Sequence, residues 1–299
     1  MTRWLVASGG ASHGSFQLGW AESFVHAQPD YAGYAGTSVG ALLATQLAHF
    51  DSFAEGVASY AHIWDDQVQH TSDIYKTWWP RWLGPLAYLP TLWKGSIFSA
   101  APLRALLQEN ISPAQLSQSS RELRICAVDM TTGDKRIYTK KDVTRVDGWK
   151  FVYGSASYPM GFEPIHVDGD LLTDGGVRDV TPLGAALKAG ATEVDVLLTR
   201  PSSAPLFADG NILTRGLRML DLMMDEITEN DLRRCQEINR GVTSGEAWCQ
   251  GKRFVQVNVH RPATPLFESS LNFDADVWRE NRRRGRAVAI KALGAERAY

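Results

Sequence analysis

At 299 residues, 44% apolar and 21% charged, the chain has the make-up of a soluble globular protein with material for a sizeable core. A formal net charge of -2 gives no general electrostatic footprint for nucleic acid, and the three cysteines, Cys126, Cys235 and Cys249, lack metal-ligand spacing and point to reduced thiols in a cytosolic-type compartment. No apolar run reaches the length of a membrane span, and strand-like sequence over residues 3–8 leaves no room for a signal segment, so the expected setting is cytoplasmic, compatible with a peripheral position at a membrane or with signal-independent secretion.

Trp4, Leu5, Val6 and Ala7 read as a buried strand. Ser8-Gly9-Gly10-Ala11-Ser12-His13-Gly14 follows as a glycine-rich turn, and Phe16, Trp20 and Phe24 then recur at the spacing of an amphipathic helix. This unit lacks both the Walker Lys-Ser/Thr and the dinucleotide Gly-x-Gly-x-x-Gly spacing, so its backbone amides suit a developing anion better than a nucleotide phosphate. A second apolar run with Tyr31, Tyr34 and Ala35 leads into Gly36-Thr37-Ser38-Val39-Gly40, after which Ala41, Leu42, Leu43, Ala44 and Leu47 form a helical pattern. Strand, sharp turn and helix around Gly-x-Ser-x-Gly is the context of a nucleophile elbow. Gly36 and Gly40 let the backbone turn tightly, and Ser38 projects from the turn.

Phe53, Val57, Tyr60, Ala61 and Trp64 continue as another helical stripe. Residues 78–93 are broken by prolines and rich in tryptophan; they read either as an interfacial lid or as a loop packed over the core. Leu103, Leu106 and Leu107 mark a helix with Ser99 as N-cap candidate, and residues 123–128 and 136–138 read as paired strands. A helix starts at Trp149 and ends near Tyr158-Pro159; Leu171-Leu172-Thr173 is a short strand entering the turn Asp174-Gly175-Gly176. A helix over 182–188, a strand over 194–198, a long amphipathic helix over about 212–239 with room for a break, a strand over 253–259 and a closing helix over 275–293 complete the chain. The arginines of that last helix suggest a solvated face or a surface for anionic headgroups. The alternation predicts an α/β three-layer sandwich with a largely parallel central sheet. It is read as one domain over residues 1–299, with a motif-bearing core at about 3–200 and residues 201–299 packed on it.

A nucleophile, a base and oxyanion donors are what acyl transfer needs, and Ser38, Asp174 and the loop at Gly9 supply one candidate for each on turns that follow strands. Together these motifs resemble the patatin-like phospholipase family, whose pattern runs Gly-Gly-Gly-x-Arg/Lys-Gly, then Gly-x-Ser-x-Gly, then Asp-Gly-Gly/Ala. Residues 156–165, Ala-Ser-Tyr-Pro followed by Phe-Glu-Pro-Ile, are similar to the family's approach to its aspartate. The resemblance covers about residues 3–200. It implies a patatin-like fold, a lipid or phospholipid substrate, no cofactor or metal, and a Ser38–Asp174 dyad that forms an acyl-enzyme without a histidine. It further implies that the amides of Gly9, Gly10 and Ala11 hold the oxyanion, and that Gly175 and Gly176 shape the aspartate turn. The sequence departs from the pattern twice: Ala11 replaces the third glycine, and His13 stands where the family carries Arg or Lys, a modulator of charge at the loop. Two alternatives stand beside this: a carboxylesterase with a Ser-His-Asp triad using His260, and a non-catalytic module that binds lipid or a partner.

Overall fold

The computed structural model describes residues 2–79, 94–202, 212–267 and 269–296, together with residues 82, 84 and 86. β1 (Arg3–Ala7) leads through the glycine turn into α1 (Gly14–Phe24), and β2 (Gly33–Thr37) leads through the serine turn into α2 (Val39–Ala48). α3 (Phe53–His62) runs on into a π-helical turn, Ile63–Gln67, and the short β3 (Lys76–Thr77) and β4 (Phe98–Ser99) pair with each other apart from the main sheet. α4 (Ala101–Asn110) and α5 (Pro113–Gln118) precede a hairpin of β5 (Glu122–Asp129) and β6 (Lys135–Thr139). Then come α6 (Lys140–Val143), α7 (Trp149–Ala156), β7 (Ile165–Val167) and β8 (Asp170–Asp174). α8 (Leu183–Lys188), β9 (Glu193–Leu197), α9 (Ile212–Thr243), β10 (Gln256–His260) and α10 (Ala275–Glu296) follow.

The main sheet is mixed but mostly parallel, and helices flank it. Its order is β10-β9-β1-β2-β5-β8-β7, with β6 on β5. Strands β10, β9, β1, β2 and β5 are parallel, whereas β6, β8 and β7 run antiparallel to their neighbours. Parallel strands are covered on both faces, which is why Trp4 to Ala7 read as a continuous apolar run; each is at most 1% exposed. β1 lies inside the sheet with β2 on one side and β9 on the other, so the order reverses at its carboxyl end. Crevices at such reversals are where open α/β sheets bind ligands.

One register governs the site. Cys126 pairs with both Thr37 and Ile137, and Ala127 pairs with both Asp174 and Arg136. A residue can serve one partner on each edge, so β6 takes one edge of β5 while β2 and β8 share the other, end to end. The last residue of β2 and the last residue of β8 therefore meet beside consecutive residues of β5.

The structure shifts some expected boundaries. α9 is continuous, and the last strand covers 256–260 rather than 253–259. α7 stops at Ala156, short of Pro159, because residues ahead of a proline are driven out of helical geometry. Most of the expected lid lies outside the described residues; within them, Trp78 donates from Nε1 to the Ser96 carbonyl at 3.1 Å, and Trp82 is exposed. The arginines of α10 are mainly paired: Arg282 is buried against Glu22 and Asp65, Arg286 joins Glu22, and Arg283 and Arg284 join Glu280.

α10 lies directly on α1. A methyl group placed on Gly19 would stand 1.8 Å from the Arg282 carbonyl oxygen, and one on Gly285 would stand 2.0 Å from the Phe16 carbonyl oxygen. The helices touch backbone to backbone there. Alanine elsewhere in a helix stabilises by about 1 kcal/mol over glycine; here it must wedge the helices apart. Gly285→Ala is expected to lower stability by about 1–3 kcal/mol, read as the urea midpoint, and an unchanged or higher midpoint would refute the close crossing.

Candidate active site

Ser38 sits in the turn between β2 and α2 with φ 57° and ψ -128°, a backbone state in which a non-glycine residue is strained. The turn closes only because its flanking residues lack side chains. A methyl on Gly36 would stand 2.1 Å from the Gly40 carbonyl oxygen, and one on Gly40 would stand 2.3 Å from that of Ala7. A side chain that sequence reasoning missed fixes this conformation. The Ser38 N–H donates to Ser155 Oγ at 3.0 Å, and the Ser155 hydroxyl donates to the Cys126 carbonyl at 2.6 Å. Ser155 lies in α7 after Phe151, Val152 and Tyr153, all buried. A hydroxyl in an otherwise apolar helical face was the one available signal. Cys126 itself is buried, and desolvation pushes its thiol well above the usual range, which leaves it inert.

Asp174 ends β8, 1% exposed. Its Oδ1 accepts from the Gly176 N–H at 2.7 Å, and its own N–H donates to the Ser157 carbonyl at 3.1 Å. Its Oδ2 is buried and closes no hydrogen bond among the described residues, although the Ser38 hydroxyl is near enough to favour the ionised carboxylate. Burial raises the Asp174 pKa, the Ser38 hydroxyl and the Gly176 amide pull it back, and the balance lies at about 6, against 3.8 for an ordinary aspartate.

The loop after β1 is pinned from both sides. The Gly9 N–H donates to the Val180 carbonyl at 3.1 Å, and the Gly9 carbonyl accepts from Thr199 Oγ1 at 2.7 Å. Gln17 Nε2 donates to the Ser8 and Leu197 carbonyls at 2.9 and 3.2 Å. Of the three amides expected to face an anion, that of Gly9 is thus already engaged. Among the described residues, the amides of Gly10 and Ala11 have no partner. Ala11 adopts φ 48°, so the alanine at the third position is held in the left-handed region despite its methyl group. His13 is half-buried at the entrance to α1, with its backbone N–H on the Gly10 carbonyl at 3.0 Å.

Two cavities meet at Ser38. One, of about 60 Å³, is apolar and is walled by Val39, Leu42, Tyr60, Leu106 and Phe273 among others. The second, of about 30 Å³, has charged groups in its wall, Asp174, Arg200 and Asp221, beside Gly10, Val180, Met224 and Ser270. Ser38, Ala11 and Tyr158 belong to both. A larger open cavity of about 580 Å³ lies between residues 70–77 and 269–274 and includes neither Ser38 nor Asp174, so size alone does not locate this chemistry.

The family model described as patatin-like phospholipase matches residues 5–187. The chain belongs to the patatin-like phospholipase family. Among solved structures, VipD from Legionella pneumophila is similar with a TM-score of 0.48 and 11% identity, over 98% of this chain and 67% of that one. No curated protein matches the sequence significantly. Family membership places the chain among lipid acyl hydrolases in general terms.

His260, considered as a third catalytic group, has other partners. Its Nε2 lies 3.2 Å from Asp195 Oδ1, and its ring packs on Trp20 and Phe24. Burial raises the Asp195 pKa, but His260 and Arg3 more than offset this and hold it at about 2. β9 and β1 separate β10 from β2, so three strand spacings, roughly 14 Å, lie between the His260 strand and the Ser38 strand.

The raised Asp174 pKa is also a statement about stability. The folded protein holds this proton more tightly than the unfolded chain, so the stabilising contribution is complete below about pH 4 and is lost as pH rises through about 6. At neutral pH the buried carboxylate costs on the order of 3 kcal/mol. Asp174→Asn keeps an acceptor for Gly176 and removes the charge. Urea unfolding should give a near-zero difference between variant and wild type at pH 4 and a gain of about 3 kcal/mol for the variant at pH 7.5; a gap independent of pH would refute the raised value.

Proposed function

We propose that the protein hydrolyses carboxylic ester bonds of phospholipids or related lipids through Ser38 and Asp174. The observation that carries this is the position of Ser38. It stands where an apolar cavity meets one with charged groups in its wall, beside a buried carboxylate whose Oδ2 closes no hydrogen bond among the described residues. An amphiphilic ester has the same two-sided character, with its acyl chain on one side of the scissile carbonyl and its glycerol and headgroup on the other.

In this mechanism ionised Asp174 takes the Ser38 proton as Oγ attacks the ester carbonyl. The carbonyl oxygen gains the electron pair and is met by the amides of Gly10 and Ala11; the Gly9 amide supports the loop through Val180 instead. The tetrahedral intermediate collapses, Asp174 returns the proton to the leaving alcohol, and the acyl group remains on Oγ. Water then attacks with Asp174 again as base, which releases the fatty acid and restores Ser38. A carboxylate with a pKa of about 6 is a stronger base than an ordinary aspartate and is still ionised at neutral pH. Unclosed hydrogen bonds of this kind are common before substrate arrives.

The triad reading is disfavoured by the commitment of His260 to Asp195. Peripheral membrane encounter is proposed through α9, which exposes Met219, Leu222 and Met223 close to Met224 on the wall of the smaller cavity; none of the described helices is long and apolar enough to cross a bilayer.

Hydrolysis of a short-chain ester and of phospholipid in mixed micelles tests this reading. Ser38→Ala and Asp174→Asn should each lower kcat at least a thousandfold, while His260→Ala retains activity within a few-fold. For wild type, kcat/KM should rise with pH through a midpoint near 6, because the base must be ionised. Activity that survives in Ser38→Ala would overturn the proposal, and loss confined to His260→Ala would restore the triad. A wild type without esterase activity, and unchanged in its lipid binding by Ser38→Ala, would favour the binding module.

A further inference from the structure

The smaller cavity at Ser38 contains a charged group that the proposed chemistry does not use. Arg200 lies three residues beyond Leu197, the end of β9, on the same rim as Ser38. Its Nη2 contacts Asp221 Oδ1 at 2.6 Å, and its Nη1 and Nε contact Asp225 Oδ2 and Oδ1, each at 3.3 Å. Asp221 and Asp225 are one helical turn apart on α9, on a single face. Burial, against the pull of Arg200, raises the Asp225 pKa. Arg218 also acts on Asp225 but is not part of the cavity wall.

A guanidinium carries five N–H donors. Two are donated to the aspartates, Nε lies within ion-pair distance of Asp225, and among the described residues the others have no partner. The aspartates thus orient the fork without exhausting it. A phosphodiester accepts two parallel N–H bonds from such a fork, which a neutral glycerol cannot do. Asp221 shares the cavity wall, so an anion that reaches Arg200 also meets a carboxylate. A cation carried on the same ligand removes that penalty.

We propose that Arg200 and Asp221 form a headgroup subsite in which Arg200 binds the phosphate and Asp221 the ammonium of a zwitterionic glycerophospholipid, of phosphoethanolamine or phosphocholine type. The acyl chain then enters the apolar cavity on the far side of Ser38. This rests on the acyl-hydrolase reading and makes Arg200 and Asp221 the determinants of headgroup choice; the cavity, at about 30 Å³, widens to admit the headgroup.

The experiment compares wild type, Arg200→Gln, Arg200→Lys and Asp221→Asn on phosphatidylethanolamine, phosphatidylglycerol and diacylglycerol with identical acyl chains in mixed micelles, with folding checked by circular dichroism. Wild type should prefer phosphatidylethanolamine. Arg200→Gln should lower kcat/KM for it at least tenfold and leave diacylglycerol within twofold; Arg200→Lys should fall between; Asp221→Asn should narrow the gap between phosphatidylethanolamine and phosphatidylglycerol. Equal loss on all three lipids would reduce Arg200 to a clasp that holds α9, and a wild-type preference for phosphatidylglycerol or diacylglycerol would overturn the subsite. If wild type cleaves none of them, the acyl-hydrolase reading fails, and the subsite is decided separately by flotation with phosphatidylcholine vesicles. Weaker binding of Ser38→Ala/Arg200→Gln than of Ser38→Ala then supports it, and equal binding refutes it.

Discussion

The shared edge of β5 is the constraint from which the site follows. β2 occupies that edge as far as Cys126, and β8 takes it over at Ala127 from the opposite direction. Because β8 runs antiparallel, its final residue arrives where β2 ends, and Asp174 lands next to the turn that holds Ser38. A slip of one residue in this pairing would send Asp174 to the other face of the sheet. The junction leaves no spare volume: a methyl on Gly175 would stand 2.3 Å from the Cys126 carbonyl oxygen. That same carbonyl accepts from Ser155, whose Oγ in turn receives the Ser38 amide. One peptide unit of β5 therefore positions both halves of the candidate dyad.

Around this junction the molecule holds several unfavourable local states at once. Ser38 and Ala11 have left-handed backbone angles, and Asp174 keeps a buried oxygen without a partner among the described residues. Each costs stability, and each persists because rigid neighbours leave no alternative. The loop at Gly9 is tied to the turns after β8 and β9, so it cannot relax by moving away. Packing of α10 on α1 stiffens the helix that begins at that loop. Stability given up at the rim is matched by rigidity in the sheet and helix layers.

Much of the fold was legible because parallel, doubly covered strands write themselves as short apolar runs, and the helices carry clear periodicity. Trp4 to Ala7 are of this kind; the stripe of Phe16, Trp20 and Phe24 marks a helix, but α1 is buried on nearly every side rather than amphipathic, since α10 covers the face the stripe left open. The boundaries least legible depend on partners far along the chain. β7 is only Ile165–Val167, and it exists through its pairing with β8. In the candidate site, Gly-x-Ser-x-Gly and Asp-Gly-Gly are local patterns, and both could be read locally. Their convergence could not, since it depends on the antiparallel entry of β8. Nor could the engagement of the Gly9 amide by Val180, because two remote turns must be placed first. Ser155 and Arg200 lie outside any motif; one is an isolated hydroxyl in a helix, the other an arginine at a strand end.

The end-to-end arrangement of β2 and β8 has a consequence for the order in which the chain is made. Ser38 and the loop after β1 leave the ribosome early, whereas Asp174 emerges much later, and β9, which flanks β1, later still. A domain generally folds as a unit. Throughout that interval the serine is present without its carboxylate, and the edge of β5 beyond Cys126 is open. A chain that ends before β8 therefore has Ser38 without Asp174 beside it. The two halves of the candidate dyad become one site only when β8 pairs with β5 in this register.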